Sequence, residues 1–172
     1  MVARKSWLDW WLKFLDVGPD GSERALEVLA RRYVEEKQHS ERFIQHAQRM
    51  QYPQFRHKLL AIAAAETEHA DCLAEKIKSL GGRLPDVPAA PCATKTSWQY
   101  LLEDLTEEQL CAGKLFEEAC ELREELPAVS ELLQHIYDDE SAHCSELRNM
   151  LMRSDPQSHL ATRPPSEVSG TK

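Results

Sequence analysis

Apolar residues recur at alternating spacings of three and four along four stretches of the chain, the pattern of helices that each bury one stripe. In the first stretch the stripe reads Leu29, Tyr33, Phe43, Ala47 and Met50, which predicts a helix from about Ser22 to Met50 with Asp20-x-x-Glu23 as a capping box. The second carries Leu59, Ile62 and Leu73, opens with Pro53 at its first position and stops at the Gly81-Gly82 pair. The third opens at Thr96-x-x-Gln99, a second capping box, and continues through Leu101, Leu105, Ala112, Leu115, Ala119 and Leu122 to about Glu125. The fourth, from about Pro127 to Arg153, carries Leu133, Ile136, Leu147 and Met150.

The connections predict how these helices pair. The links near Tyr52 and Leu126 are very short, so helices 1 and 2 form one antiparallel hairpin and helices 3 and 4 another. Between the hairpins lies GGRLPDVPAAPCATK, about 15 residues that reach roughly 3.3 Å each when extended. That covers the roughly 40 Å length of a 28-residue helix. A short-long-short pattern predicts an all-α fold, a four-helix bundle with one long crossover between helices 2 and 3. The expected organisation is an aromatic N-terminal helix over residues 1–18, the bundle over 19–153, and a disordered polar tail over 154–172.

Composition narrows the function. A length of 172 residues suits one domain with a real core. A formal net charge of -8 argues against nucleic acid, because no basic surface is available to replace counterions. The 5 cysteines include no C-x-x-C pair, which excludes a rubredoxin-type or zinc-ribbon appendage and points to reduced thiols in the cytoplasm. No segment approaches the roughly 20 apolar residues of a bilayer span, and the first residues make a poor signal peptide. The stretch SWLDWWLKFLD leaves a narrow polar stripe of Asp9, Lys13 and Asp16 against a wide aromatic arc. It is expected to pack over the bundle or a homodimer partner, with membrane contact through residues 7–15 as the alternative.

The chemistry lies where the stripes turn polar. Glu66 and His69 replace apolar residues in the second stripe, between Ile62 and Leu73. Glu140 and His143 do the same in the fourth, between Ile136 and Leu147. Glu36 falls on the first stripe and Glu108 on the third, although the doublets Glu35-Glu36 and Glu107-Glu108 leave the neighbouring acid open in each case. Counted from the tight turns, Glu36 and Glu66 share one height; Glu108 and Glu140 differ by about one turn, roughly 5 Å. Four carboxylates in one buried layer would each lose several kcal/mol of hydration and repel one another. Cations resolve the conflict. Four carboxylates with two imidazoles suit two ions of iron, with manganese as the alternative, and leave positions open for dioxygen, peroxide or water.

Other residues near this layer are less specific. His39 is expected at the surface, with support of a ligand or direct ligation as its alternatives. Tyr33 and Tyr137 lie one turn before Glu36 and Glu140; they are read as packing residues, with electron relay as the alternative. Cys72 and Cys111 lie one turn past proposed ligands and are read as inert thiols, with a redox role as the alternative.

With these residues in place, the chain over 22–153 resembles the ferritin-like superfamily, and within it the rubrerythrin and bacterioferritin branch. LTEEQLCAGK and YDDESAHCSEL resemble the third- and fourth-helix iron motifs of that group, and AAAETEHADCL resembles the second. The resemblance implies single carboxylates at Glu36 and Glu108 and pairs at Glu66-His69 and Glu140-His143, around a bridged two-iron centre. It implies an oxidoreductase that oxidises Fe(II) or reduces peroxide or dioxygen, served by a separate electron donor. Rubrerythrins usually carry a further glutamate one turn after the third-helix ligand; here that position is Cys111, which counts against their ligand exchange. The alternatives are a membrane-associated hydroxylase of a quinone-like lipid and a metal-free interaction bundle.

Overall fold

The computed structural model describes residues 19–90 and 94–156, and within them four α-helices and no strand. They are α1 (Pro19–Arg49), α2 (Pro53–Ser79), α3 (Ser97–Leu122) and α4 (Pro127–Met152). The all-α bundle with a single long crossover is the fold observed. The aromatic segment of residues 1–18, Cys92, and residues 157–172 of the expected tail lie outside the described residues. Residues 154–156 do not begin a free tail. The Ser154 hydroxyl donates to the Leu151 carbonyl at 2.8 Å, and the Asp155 N–H donates to the Tyr52 hydroxyl at 3.0 Å.

Helix ends follow local chemistry. Helix α1 begins at Pro19, whose fixed φ and missing N–H suit a first turn, so Asp20 lies inside that turn rather than capping it. Pro53 opens α2 as expected. Gly81 closes it with φ +78°, and the Gly82 N–H reaches the Ile77 carbonyl at 2.9 Å. The Thr96–Gln99 box is formed in both directions, at 3.2 Å from the Gln99 N–H and 2.9 Å from the Thr96 N–H. Helix α3 ends at Leu122, one turn short of the expected Glu125, and the Leu126 N–H donates to the Leu122 carbonyl at 2.8 Å.

The partners across helices reveal the packing. As α1 residues advance from Arg24 through Arg32 to Arg42, their α3 partners retreat from Glu121 through Glu118 to Asp104. Helices α1 and α3 are therefore antiparallel. The same holds for α2 and α4, where Lys58 pairs with Glu146 and His69 with Asp139. The crossover runs back along α1: Gln38 donates to the Pro88 carbonyl at 3.0 Å, and the Ala90 N–H donates to Glu41 at 3.1 Å. This return sets α3 parallel to α2.

The apolar interior forms two clusters. One contains Leu29, Leu73, Ile77, Leu115, Leu122 and Leu133; the other contains Phe43, Met50, Leu59, Leu101, Leu147 and Met150. Each such side chain contributes about 1.5–3 kcal/mol on burial. Between the clusters lies a layer that is not apolar.

Candidate metal centre

Each helix brings one carboxylate to that layer because its stripe carries Glu where an aliphatic residue would continue it. Glu36, Glu66, Glu108 and Glu140 are all fully buried, at 0% exposure. In each doublet the neighbouring acid lies outside the layer: Glu35 turns to Arg32 at 2.5 Å, and Glu107 is exposed. His69 and His143 follow their glutamates by three residues, so each imidazole lies on the same helix face as its acid.

The six side chains fall into two overlapping groups. One ligand atom from each of Glu36, Glu66, His69 and Glu140 lies within 4.8 Å of the others, and the same is true of Glu66, Glu108, Glu140 and His143. That ceiling is slightly more than twice a metal–ligand bond of about 2.0–2.3 Å. Glu66 and Glu140 belong to both groups. His143 Nδ1 lies 2.9 Å from Glu66 and 3.6 Å from Glu108; His69 Nδ1 lies 3.5 Å from Glu36 and 3.8 Å from Glu66. The expected one-turn mismatch between Glu108 and Glu140 does not separate them.

Charge in this layer is divided unevenly. Burial pushes Glu36 and Glu140 well above the usual carboxylate range, helped in each case by a neighbouring carboxylate. Burial acts on Glu66 and Glu108 too, but contacts from His143, His69 and Glu36 hold Glu66 well below that range. Glu140, His143 and His39 likewise hold Glu108 down. Burial disfavours charge on the imidazoles, yet Glu36 and Glu66 raise His69 to about 11, and Glu108 and Glu66 raise His143 to about 9.

A test of fit to metal lies in the unpartnered atoms. All eight carboxylate oxygens of the four glutamates, and Nδ1 of His69 and of His143, are buried without a hydrogen-bond partner among the described residues. Buried polar atoms are nearly always paired, so ten converging exceptions mark donors aimed at something other than protein. Asp139 supports the arrangement from outside, accepting from His69 Nε2 at 3.1 Å and leaving Nδ1 turned inward. The donor set of hard carboxylates with two imidazoles fits a pair of ions such as iron or manganese.

The remaining expectations meet mixed outcomes. His39 is not at the surface: it is 6% exposed, with Nδ1 3.2 Å from Glu108. The reason is that the buried face of α1 is wider than one stripe, since α1 packs on both α2 and α3. Tyr33 and Tyr137 are half-buried against the apolar cluster, and Tyr137 stacks on Phe116 at 5.4 Å, in line with packing. Cys72 is exposed, whereas Cys111 is buried and accepts from Arg32 Nη1 at 3.4 Å. Burial and the nearby Glu36 push the Cys111 thiol up. Two groups escaped the sequence reading. Arg32 is fully buried against Glu118 and Glu35. Asp104 is fully buried against His46 at 2.8 Å and Arg42 at 3.4 Å. Their signal was faint: Arg32 and Asp104 lie one turn before Glu36 and Glu108.

Comparisons with known proteins agree with the fold. No curated protein matches the chain in sequence. Among solved structures, the bacterioferritin of Desulfovibrio desulfuricans, whose description names a diiron site, superposes with a TM-score of 0.70 at 22% identity, over 78% of this chain and 81% of that one. BfrA of M. tuberculosis gives 0.69 at 21% identity, over 83% and 89%. The bacterioferritin-related protein of Bacteroides fragilis, described as a dodecameric thioferritin, gives 0.70 at 16% identity, over 83% and 92%. The family model of the ferritin-like domain matches residues 43–154, and the chain belongs to that family.

Proposed function

We propose that the chain is a ferroxidase-type di-iron protein. Glu36 and His69 would hold one ion, Glu108 and His143 the other, with Glu66 and Glu140 shared. The observation that carries this reading is the sharing of Glu66 and Glu140 by two groups of unpartnered donors. A pair of iron ions held there would supply redox chemistry toward dioxygen or peroxide. The four carboxylates offset the charge of the ions, and Asp139 orients His69 through its Nε2. The apolar clusters on either side restrict water.

Fe(II) oxidation is favoured over rubrerythrin-type peroxide reduction, because Cys111 stands where that chemistry would require a glutamate. Manganese remains the alternative metal, and a separate donor would return electrons. A cytoplasmic setting suits the four cysteines of the described residues, all of them free thiols. The lipid-hydroxylase alternative rests on residues 7–15, outside the described residues. No helix among the described residues is long and apolar enough to cross a membrane. A metal-free interaction bundle would leave ten buried donors without purpose. The expected homodimer gains no support from the comparisons, one of which is described as dodecameric.

Anaerobic titration with Fe(II), followed by admission of air, tests the reading. At least two ions per chain should bind, and about two should oxidise when air is admitted, giving a ferric absorbance. Glu66→Gln, which removes charge from a shared ligand, should reduce binding at least about tenfold. Retention of full binding by that variant would end the assignment.

A further inference from the structure

One further group of donors adjoins the six and shares only Glu140 with them. His39, Cys111 and Glu140 each offer a ligand atom within 4.8 Å of the other two, and all three are buried. His39 Nδ1 and both Glu140 oxygens lack hydrogen-bond partners, and His39 is more than nine-tenths buried. The trio therefore combines a thiol, an imidazole and a carboxylate, a set suited to a borderline-soft divalent ion.

Two of the trio, His39 and Cys111, also line a cavity that opens to solvent. This cavity of about 240 Å³ between α1 and α3 is lined by Glu35, His39, Arg42, Glu107, Cys111 and others. Glu107 is exposed and Glu35 half-buried at its mouth, while His39 and Cys111 lie deep. Glu107 favours cation entry, whereas Glu35 is already paired with Arg32. Lys114 at the same mouth opposes entry, but Arg42 is turned toward Asp104 at 3.4 Å. Arg32, fully buried, donates to the Cys111 sulfur at 3.4 Å, so an ion bound there must displace both that contact and the thiol proton.

We propose that His39, Cys111 and Glu140 form a third cation site, an outer station that receives Fe(II) from the cavity and passes it inward. Glu140 is the reason transfer is feasible, because it belongs to this trio and to both groups of the proposed two-iron centre. An ion can exchange His39 and Cys111 for inner donors without releasing Glu140. The proposal rests on the two-metal reading and extends it to metal entry. No bond to carbon and no electron transfer is involved; the Cys111 proton leaves to solvent as the ion binds.

The test is anaerobic titration of the full-length chain with Co(II), whose thiolate ligation produces charge-transfer absorption in the near ultraviolet. The expected result is about three Co(II) per chain with that absorption, falling to about two without it in Cys111→Ser. His39→Gln should also fall to about two, and it keeps the test open if the serine variant folds poorly. Thiolate absorption surviving in Cys111→Ser, or a wild type that binds two ions with none, would overturn the third site and leave the two-metal reading standing. Fewer than two ions in the wild type would overturn both.

Discussion

At the scale of single residues, position across the bundle decides whether a polar side chain could be recognised in advance. Glu66, His69, Glu140 and His143 were legible because each interrupts an apolar stripe that continues on both sides of it. Asp104 was not, because its stabilising partners come from α1, and one helix's periodicity does not identify residues across a crossover. Its electrostatics make a prediction. Burial raises the Asp104 carboxyl above its ordinary value of 3.8, despite the downward pull of His46 and Arg42. A folded state that holds a proton more tightly than the unfolded one gains stability that is complete below the ordinary value. That stability is lost as pH rises through the raised one. Asp104→Asn does not titrate, so the wild type's advantage over it should shrink as pH rises above the ordinary carboxyl value of about 4. Urea unfolding of both metal-free proteins over that rise in pH reads the difference; an advantage that grows with pH would mean that pairing outweighs burial. Arg32→Ala tests the other unforeseen group. It leaves Glu118 and Glu35 facing a lost cation at a fully buried position, and should cost about 3 kcal/mol in the same assay. A cost within error of zero would show that Arg31, which also pairs with Glu118, is sufficient.

Helix boundaries were legible wherever one residue dictates backbone conformation. Pro53, Gly81 and the Thr96–Gln99 box set their termini by φ restriction, φ permission and paired hydrogen bonds respectively. Where two signals competed, the reading slipped: Pro19 and Asp20 both suit the start of α1, and the structure begins the helix at Pro19. Gly81 offers a direct test, since its φ of +78° is a conformation that costs an L-residue about 1–2 kcal/mol. Gly81→Ala should lower unfolding free energy by that amount, although a Cβ there meets nothing within 4 Å. Thr96→Ala should cost about 1 kcal/mol by removing the acceptor for the Gln99 N–H. If Gly81→Ala proved neutral while Thr96→Ala did not, α2 would have relaxed its ending and the start of the crossover would be more adaptable than its hydrogen bonds imply.

In the whole molecule, two apolar clusters are separated by a charged layer, so function and stability oppose each other at mid-bundle. Without cations, burial raises two of its carboxyls well above the usual range, and the layer still buries ten unpartnered donors. Replacing a buried charge network by well-packed aliphatic residues often leaves stability unchanged or raises it by about 1–4 kcal/mol. Glu140→Leu would extend the stripe of Ile136 and Leu147 through the layer and join the two clusters. The metal-free variant should therefore unfold at higher denaturant concentration than the metal-free wild type, despite losing a shared ligand. Adding metal should reverse the order. An ion present at 1,000 times its dissociation constant stabilises the native state by about 4 kcal/mol, a gain that the leucine variant cannot realise fully. Paired unfolding curves with and without anaerobic Fe(II) supply the measurement. A leucine variant less stable than wild type even without metal would mean that contacts among Glu36, Glu66, Glu108 and Glu140 already satisfy the layer, and the argument that cations are needed there would lose its energetic basis.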